Sequence, residues 1–239
     1  MGEELEARVA VAKVGKYATS ESGDSLEIVE RPHGGLSVVL ADGQRSGRAA
    51  KAISNIVVRK AVALLAEGVR DGAVARATHD YLFLHRGGKV SAELNIVSID
   101  LVSRTLVVSR NSHCPVIVVK DDQLSLLDEP SSPIGVHSNT KPVITELPLE
   151  SETHLVVFTD GLLEAGRYSD RRLDVMTLVP NLLITHVNEP QAVADALLEH
   201  AVAADQGRPR DDISVLVVAV VARDGGDDVR RMSVSFPIR

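Results

Sequence analysis

Between Val90 and Lys120 the chain carries three β-branched runs, Leu94-Asn95-Ile96-Val97-Ser98-Ile99, Leu106-Val107-Val108 and Val116-Ile117-Val118-Val119, separated by short polar turns such as Ser103-Arg104. No helix fits in those gaps, so the stretch predicts an antiparallel meander and not the strand–helix–strand units of a parallel sheet. Helical spacing appears on either side. Ala49, Ala50, Ile53, Ile56, Val57, Ala61, Leu64 and Leu65 mark a helix over Ser46 to Glu67, and Val74, Ala77, Tyr81 and Leu84 mark a second over Ala73 to His85. Arg171 to Ile184 and Pro190 to Ala204 predict a later pair. Apolar strands are expected at Val9 to Val14, Leu36 to Leu40, Val143 to Leu147, His154 to Phe158 and Ile213 to Val221, and one begins at Leu26. Asp128 to Pro142, with three prolines, reads as an ordered loop. Asp224-Gly225-Gly226-Asp227 is expected to turn the chain into a last strand, Met232 to Phe236, closing a terminal hairpin. Strands in groups and helices in pairs predict an α+β layered domain with mostly antiparallel sheets.

With 239 residues, 44% of them hydrophobic, the chain reads as one domain over 1–239. Twenty-six Lys and Arg against 33 Asp and Glu give a net charge of −7 without a basic block, and aromatic residues make up 3% with no Trp, which argues against nucleic acid as a partner. The longest apolar stretches, such as Val215 to Ala222, are too short to span a bilayer, and Met1-Gly2-Glu3-Glu4 lacks the layout of a secretory signal, so neither membrane insertion nor export is expected. The single cysteine, Cys114, allows no internal disulfide, which fits a reducing, cytoplasmic setting.

The chemistry is carried by acids at the ends of apolar strands. Asp-Gly occurs four times, at Asp42, Asp71, Asp160 and Asp224. Asp42 ends Leu36-Ser37-Val38-Val39-Leu40-Ala41 and Asp160 ends Leu155-Val156-Val157-Phe158-Thr159, and each is followed by helical sequence, so a hairpin turn fits neither. Asp71-Gly72 and Asp224-Gly225 read as plain turns. A carboxylate with a glycine behind it exposes hard oxygen donors of the kind Mg²⁺ or Mn²⁺ takes. Asp211-Asp212 stands before the strand at Ile213, and Asp24 before the strand at Leu26. Singly, each is more often a solvated turn or a cap; converging, their repulsion calls for cations, and two ions on shared carboxylates activate water against phosphorus.

These residues also carry a resemblance. Gly23-Asp24, Leu40-Ala41-Asp42-Gly43-Gln44-Arg45-Ser46-Gly47-Arg48-Ala49-Ala50, Asn111-Ser112-His113-Cys114-Pro115, Ser132-Pro133-Ile134-Gly135-Val136, Val157-Phe158-Thr159-Asp160-Gly161-Leu162-Leu163-Glu164-Ala165 and Asp211-Asp212-Ile213-Ser214, in that order, resemble the motifs of the SpoIIE/RsbU/RsbX phosphatases. These are bacterial members of the metal-dependent protein phosphatase 2C superfamily. The resemblance spans roughly Gly23 to Val221 and implies a four-layer α-β-β-α sandwich of two antiparallel sheets flanked by antiparallel helices. It implies two Mn²⁺ or Mg²⁺ ions, with Asp42 bridging both, the Gly43 carbonyl and Asp24 serving one, and Asp160 and Asp211 the other. Asp42, Asp160 and Asp211 would then carry hydrolysis of phosphoserine or phosphothreonine by metal-activated water. Among relatives the substrates include phosphorylated anti-sigma-factor antagonists and stressosome scaffold proteins, and the helix pair over Ser46 to His85 would be either a partner surface or plain cover for a sheet.

The chain departs from the pattern at three places. Arg45 stands where the family commonly has Gly, and either holds phosphate or lies in solvent. Ser20 replaces the arginine of eukaryotic relatives, so no phosphate clamp carries over. His113 follows Ser112 in place of a Gly-His pair and reads as a structural hydrogen bonder or a general acid, while Asp212 takes an orienting role and Cys114 a buried apolar one. The competing readings are a binding module with a silent site and a two-metal phosphodiesterase acting on a small nucleotide.

Overall fold

The structure is a computed structural model and describes residues 4–169, 171–223, 225 and 229–237. In chain order the elements are Leu5–Val14 (β1), Asp24–Glu30 (β2), Leu36–Gly43 (β3), the helices Gly47–Ala66 (α1) and Asp71–Arg86 (α2), Ala92–Asp100 (β4), Thr105–Asn111 (β5), Val116–Lys120 (β6), Gln123–Leu127 (β7), Val143–Pro148 (β8), Thr153–Phe158 (β9), a single turn Asp160–Leu163 (α3), Val175–Thr185 (α4), Pro190–Ala204 (α5) and Ile213–Ala222 (β10). They form two five-stranded sheets, β1-β10-β9-β6-β7 and β2-β3-β4-β5-β8, in which the paired strands are antiparallel.

Period two explains why the central strands read as unbroken apolar runs. Val38, Leu40, Val97 and Leu106 face Val118, Leu155, Val157, Leu216 and Val218 across the space between the sheets. The intervening residues Val39, Ala41, Leu94 and Ile96 turn the other way, beneath Val57, Ala61, Leu65 and Leu82 of α1 and α2. On the opposite sheet Val156, Phe158, Val215 and Val217 lie under Val179, Leu183, Val193 and Leu197 of α4 and α5. Both faces of each sheet are thus covered, so polar alternation vanishes. Four layers result, as the motif resemblance implies.

Three expectations need correction. The run from Val90 to Lys120 is not one meander: β4 and β5 pair in one sheet, whereas β6 pairs with β7 and β9 in the other. The chain crosses between sheets at residues 112–115. Strand β7 escapes detection because its side chains are largely exposed; Asp121 and Asp122, with φ of 48° and 61°, make the two-residue left-handed turn that returns it to β6. The expected last strand, Met232 to Phe236, is absent, and residues 229–237 are irregular and exposed. Strand β10 already has β1 on one side and β9 on the other, so no edge is left for a hairpin partner. Apart from Gly225, the turn that would lead into that strand lies outside the described residues.

Asp71 is likewise no plain turn. It opens α2 in a buried position, accepts from Arg31 Nη1 at 2.7 Å and receives the Ser98 hydroxyl, while Arg31 Nη2 reaches the Val69 carbonyl at 2.9 Å. Removing one member of a buried ion pair leaves the other charge without compensation. Asp71→Ala is therefore expected to destabilise the protein by about 3 kcal/mol, read as a lower midpoint in urea unfolding at unchanged slope.

Candidate metal centre

Strand register brings the acids together. Asp24 on β2 and Glu93 on β4 are the two lateral neighbours of Asp42 on β3, so three adjacent strands each present an acid at the same end of one sheet. From the other sheet, β9 ends at Phe158 and delivers Asp160, and the residues entering β10 deliver Asp211. Asp42, Gly43, Glu93, Asp160 and Asp211 line one cavity of about 290 Å³, together with Lys16, Gln44, Arg45 and Pro133.

The glycines behind these acids answer a packing requirement. A β-carbon on Gly43 would sit 2.1 Å from the Ala50 carbonyl oxygen of α1, and one on Gly161 would sit 2.1 Å from the Asp212 carbonyl oxygen. Backbone must pass there without a side chain. Arg45 has φ of 78°, the left-handed region that glycine enters freely, so the glycine that the motif resemblance implies here would sit without strain.

Acids outnumber cations here: Asp42, Glu93, Asp160 and Asp211 share the wall with Lys16 and Arg45. Burial pushes the Asp42 carboxyl up to about 10, with further upward pressure from Asp24, Asp160, Glu93 and Asp211. Burial, then Asp211 and Glu93, raise Asp160 to about 6, and burial also raises Asp24. Asp24 is fully buried behind the cavity and is not part of its wall. One of its oxygens accepts from Ser214 Oγ at 2.6 Å and Thr159 Oγ1 at 3.1 Å; the other, Oδ1, is buried without a hydrogen-bond partner. An orphaned carboxylate oxygen among four more acids suits a cation, and the donors are all hard oxygens, so the residues fit Mn²⁺ or Mg²⁺.

Neighbouring residues hold this arrangement in place. Asp212, buried, accepts from the Lys16 amide at 2.9 Å and the Gly23 amide at 2.7 Å, tying the loop between β1 and β2 to the approach of β10. Lys51 Nζ and Lys13 Nζ both donate to the Asp24 carbonyl, at 2.8 and 3.1 Å. Ile134 pairs with Ala92 and the Gly135 amide donates to His79 Nδ1 at 3.1 Å, so the proline-rich loop sets Pro133 at the wall.

Of the residues singled out in the sequence, Asp42, Gly43, Asp160 and Asp211 meet at the wall and Asp24 stands behind it. Arg45 is in the wall and exposed. His113 is not in the wall: its Nδ1 contacts Glu93, which also accepts from Ser112 Oγ at 2.6 Å, and this bond raises the imidazole pKa. Cys114 is buried with its thiol pushed up by desolvation, so the Glu93, His113 and Cys114 group, whose ligand atoms lie within 4.8 Å of one another, acts as a hydrogen-bonded brace for Glu93. Sequence reasoning missed Glu93 and Lys16. An acid in the otherwise apolar start of β4 was the available signal for the first; Lys16 had none.

A sandwich of this construction, with acids of both sheets meeting at one end, is the PP2C phosphatase fold. The structure is similar to the PP2C phosphatase domain with a regulatory fragment of SpoIIE from Bacillus subtilis, at TM-score 0.79 and 20% identity over 91% of this chain and 64% of that one. It is also similar to the RsbU and RsbW domains of a Mycobacterium tuberculosis protein, at TM-score 0.73 and 20% identity over 92% and 61%. A third likeness is the catalytic domain of the serine/threonine phosphatase PstP in complex with two manganese ions, at TM-score 0.69 and 18% identity over 91% and 100%. The sequence model described as Stage II sporulation protein E (SpoIIE) matches residues 32–221, and the chain belongs to that family. Stage II sporulation protein E of Bacillus subtilis is 23% identical over 199 residues, covering 83% of this chain and 24% of the relative; that of Priestia megaterium is 21% identical over 207 residues, covering 87% and 35%. The chain thus spans about a quarter to a third of the length of these relatives. No helix among the described residues is long and apolar enough to cross a membrane.

Proposed function

We propose that the protein is a metal-dependent serine/threonine phosphatase that removes phosphate from phosphoserine or phosphothreonine of a bacterial regulatory protein, of the anti-sigma-factor-antagonist or stressosome type. The observation that carries the reading is the convergence of Asp42, Asp160, Asp211 and Glu93 on one cavity, with Asp24 orphaned behind it. A binding-only domain gains nothing from repelling carboxylates that burial alone makes hard to ionise.

Asp42, which meets the acids of both sheets, would hold the metal ions together with the Gly43 carbonyl and Asp24 on one side and Asp160 and Asp211 on the other. Such ions, when bound, lower the pKa of water and neutralise charge on phosphoryl oxygens. The chain's own contribution is position. The hydroxyls of Ser214 and Thr159 fix Asp24, the two amides on Asp212 fix the chain next to Asp211, and Ser112 with His113 fixes Glu93. Lys16 and Arg45 are the cationic side chains of the wall and would meet the phosphoryl oxygens that stay outside the acid cluster. A cytoplasmic setting accords with the lone buried thiol.

The test is hydrolysis of p-nitrophenyl phosphate and of a phosphoserine peptide with and without Mn²⁺, beside a bis-phosphodiester. Mn²⁺-dependent turnover of the monoesters supports the reading. Turnover of the diester alone would replace it with a phosphodiesterase, and no turnover by folded, Mn²⁺-loaded protein would leave a binding module.

A further inference from the structure

Two of the three tyrosines in this chain, Tyr17 and Tyr168, stand exposed, and each carries a guanidinium over its ring. Arg208 lies 5.4 Å from the centre of Tyr17, and Arg210 lies 5.2 Å from the centre of Tyr168. The arc adjoins the cavity along the chain at two points: Tyr17 follows the wall residue Lys16, and Arg210 precedes the wall residue Asp211. Its three loops, between β1 and β2, α3 and α4, and α5 and β10, are tied to one another. The buried carboxylate of Asp205 accepts from the Gly166 amide and from the Arg210 amide, each at 2.9 Å, and the Tyr17 amide donates to the Pro209 carbonyl at 2.8 Å.

In a protein of net charge −7, Lys16, Arg208 and Arg210 have no carboxylate partner among the described residues. Arg residues stacked on tyrosines, held in advance by main-chain bonds, are the composition of a recognition surface: they offer planar cationic donors and apolar area at small entropic cost. We propose that this Tyr17–Arg208–Arg210–Tyr168 arc docks the acidic segment flanking the phosphorylated residue of the protein substrate. This rests on the phosphatase reading for the phosphorylated residue alone; the preference for Asp and Glu beside it follows from the arc. Acidic side chains reach the guanidiniums bidentately while the phosphate enters past Lys16.

Two phosphoserine peptides of one length, flanked by Asp and Glu or by Asn and Gln, test the proposal through kcat/KM with Mn²⁺ and through affinity by fluorescence anisotropy. The acidic peptide is expected to be favoured about ten-fold at low salt, with the preference shrinking as salt screens it. Arg208→Gln/Arg210→Gln should bring the ratio near one, and Arg208→Glu/Arg210→Glu should make a Lys-flanked peptide the better ligand. Because the loops are held through main-chain amides, these side-chain changes leave the anchor intact. Equal affinity for acidic and neutral peptides, or a loss in the variants that is the same for both, overturns the proposal. So does equal competition by a single-stranded oligonucleotide or by phosphatidylserine vesicles, which would make the arc a general polyanion surface. A preference in affinity without hydrolysis of either peptide would defeat the phosphatase reading and leave the arc standing.

Discussion

Asp42→Asn is expected to lower Mn²⁺-dependent hydrolysis of p-nitrophenyl phosphate by at least about 10³-fold, and Asp160→Asn by a similar order, with far-ultraviolet circular dichroism unchanged. The reason lies in their surroundings. Asp42 is flanked in register by Asp24 and Glu93 and faces Asp160 and Asp211 from the other sheet, so no neighbouring acid can move into its place. An amide keeps the shape but loses the charge that would draw a cation into the cluster. Gln44 and Ser91 also line the cavity and carry no charge, so they cannot compensate. Retention of the wild-type rate by either variant would remove these carboxylates from the reaction.

The second large effect concerns stability. In metal-free protein the raised carboxyls of Asp42 and Asp160 bind protons more tightly when folded than when unfolded, from an ordinary value of 3.8 to about 10 and about 6. Their contribution is complete below pH 3.8 and is lost as pH rises, first through about 6 for Asp160 and then towards 10 for Asp42. Each proton so released lowers stability by about 1.4 kcal/mol per pH unit across its window. Mn²⁺ takes the place of those protons, so it binds more tightly at higher pH and reverses the slope. Two ions at about a hundred times their Kd would add about 5 kcal/mol, which in a chain of this size raises Tm by roughly 10–20 °C. Differential scanning calorimetry at pH 5, 7 and 9, with and without Mn²⁺, reads both effects. A flat metal-free profile together with no shift on Mn²⁺ would mean that the acids do not form a site. Asp42→Asn should in addition raise the metal-free Tm near neutral pH, since an amide needs no proton to fold whereas the Asp42 carboxyl must take one up under the pressure of burial and of four neighbouring acids.

Much of this was legible before any coordinates. Asp42 and Asp160 stand at abrupt ends of apolar runs, and an acid where a strand stops short of a hairpin is visible in one dimension. Helix α5 begins and ends where its pattern says, at Pro190 and Ala204, because its apolar face meets a single sheet. What escaped depends on which strands become neighbours. Glu93 gains its meaning from lying opposite Asp42, and sheet register is a relation between segments fifty residues apart. The split of β5 from β6 escaped for the same reason, since residues 112–115 read as an ordinary turn whether the chain returns to its own sheet or crosses to the other. Asp71 was misread because the dipeptide Asp-Gly says nothing about Arg31, forty residues earlier. The tyrosine–arginine arc was invisible altogether: Tyr17 and Arg208 are 191 positions apart and meet only in the fold.

Strand β1 pairs with β10, and the amides of Lys16 and Gly23 close on Asp212. Among the described residues, then, the first strand finds its sheet partner at the far end of the chain. A ribosome extending this polypeptide releases Leu5–Val14 long before Ile213–Ala222 exists to receive it, and Asp24 and Asp42 before Asp211. The acid cluster is therefore completed only after Asp211 has emerged, and contacts of such long sequence separation form slowly. Until β10 docks, the nascent chain holds an unpaired strand edge exposed, and no partial product carries a complete set of acids.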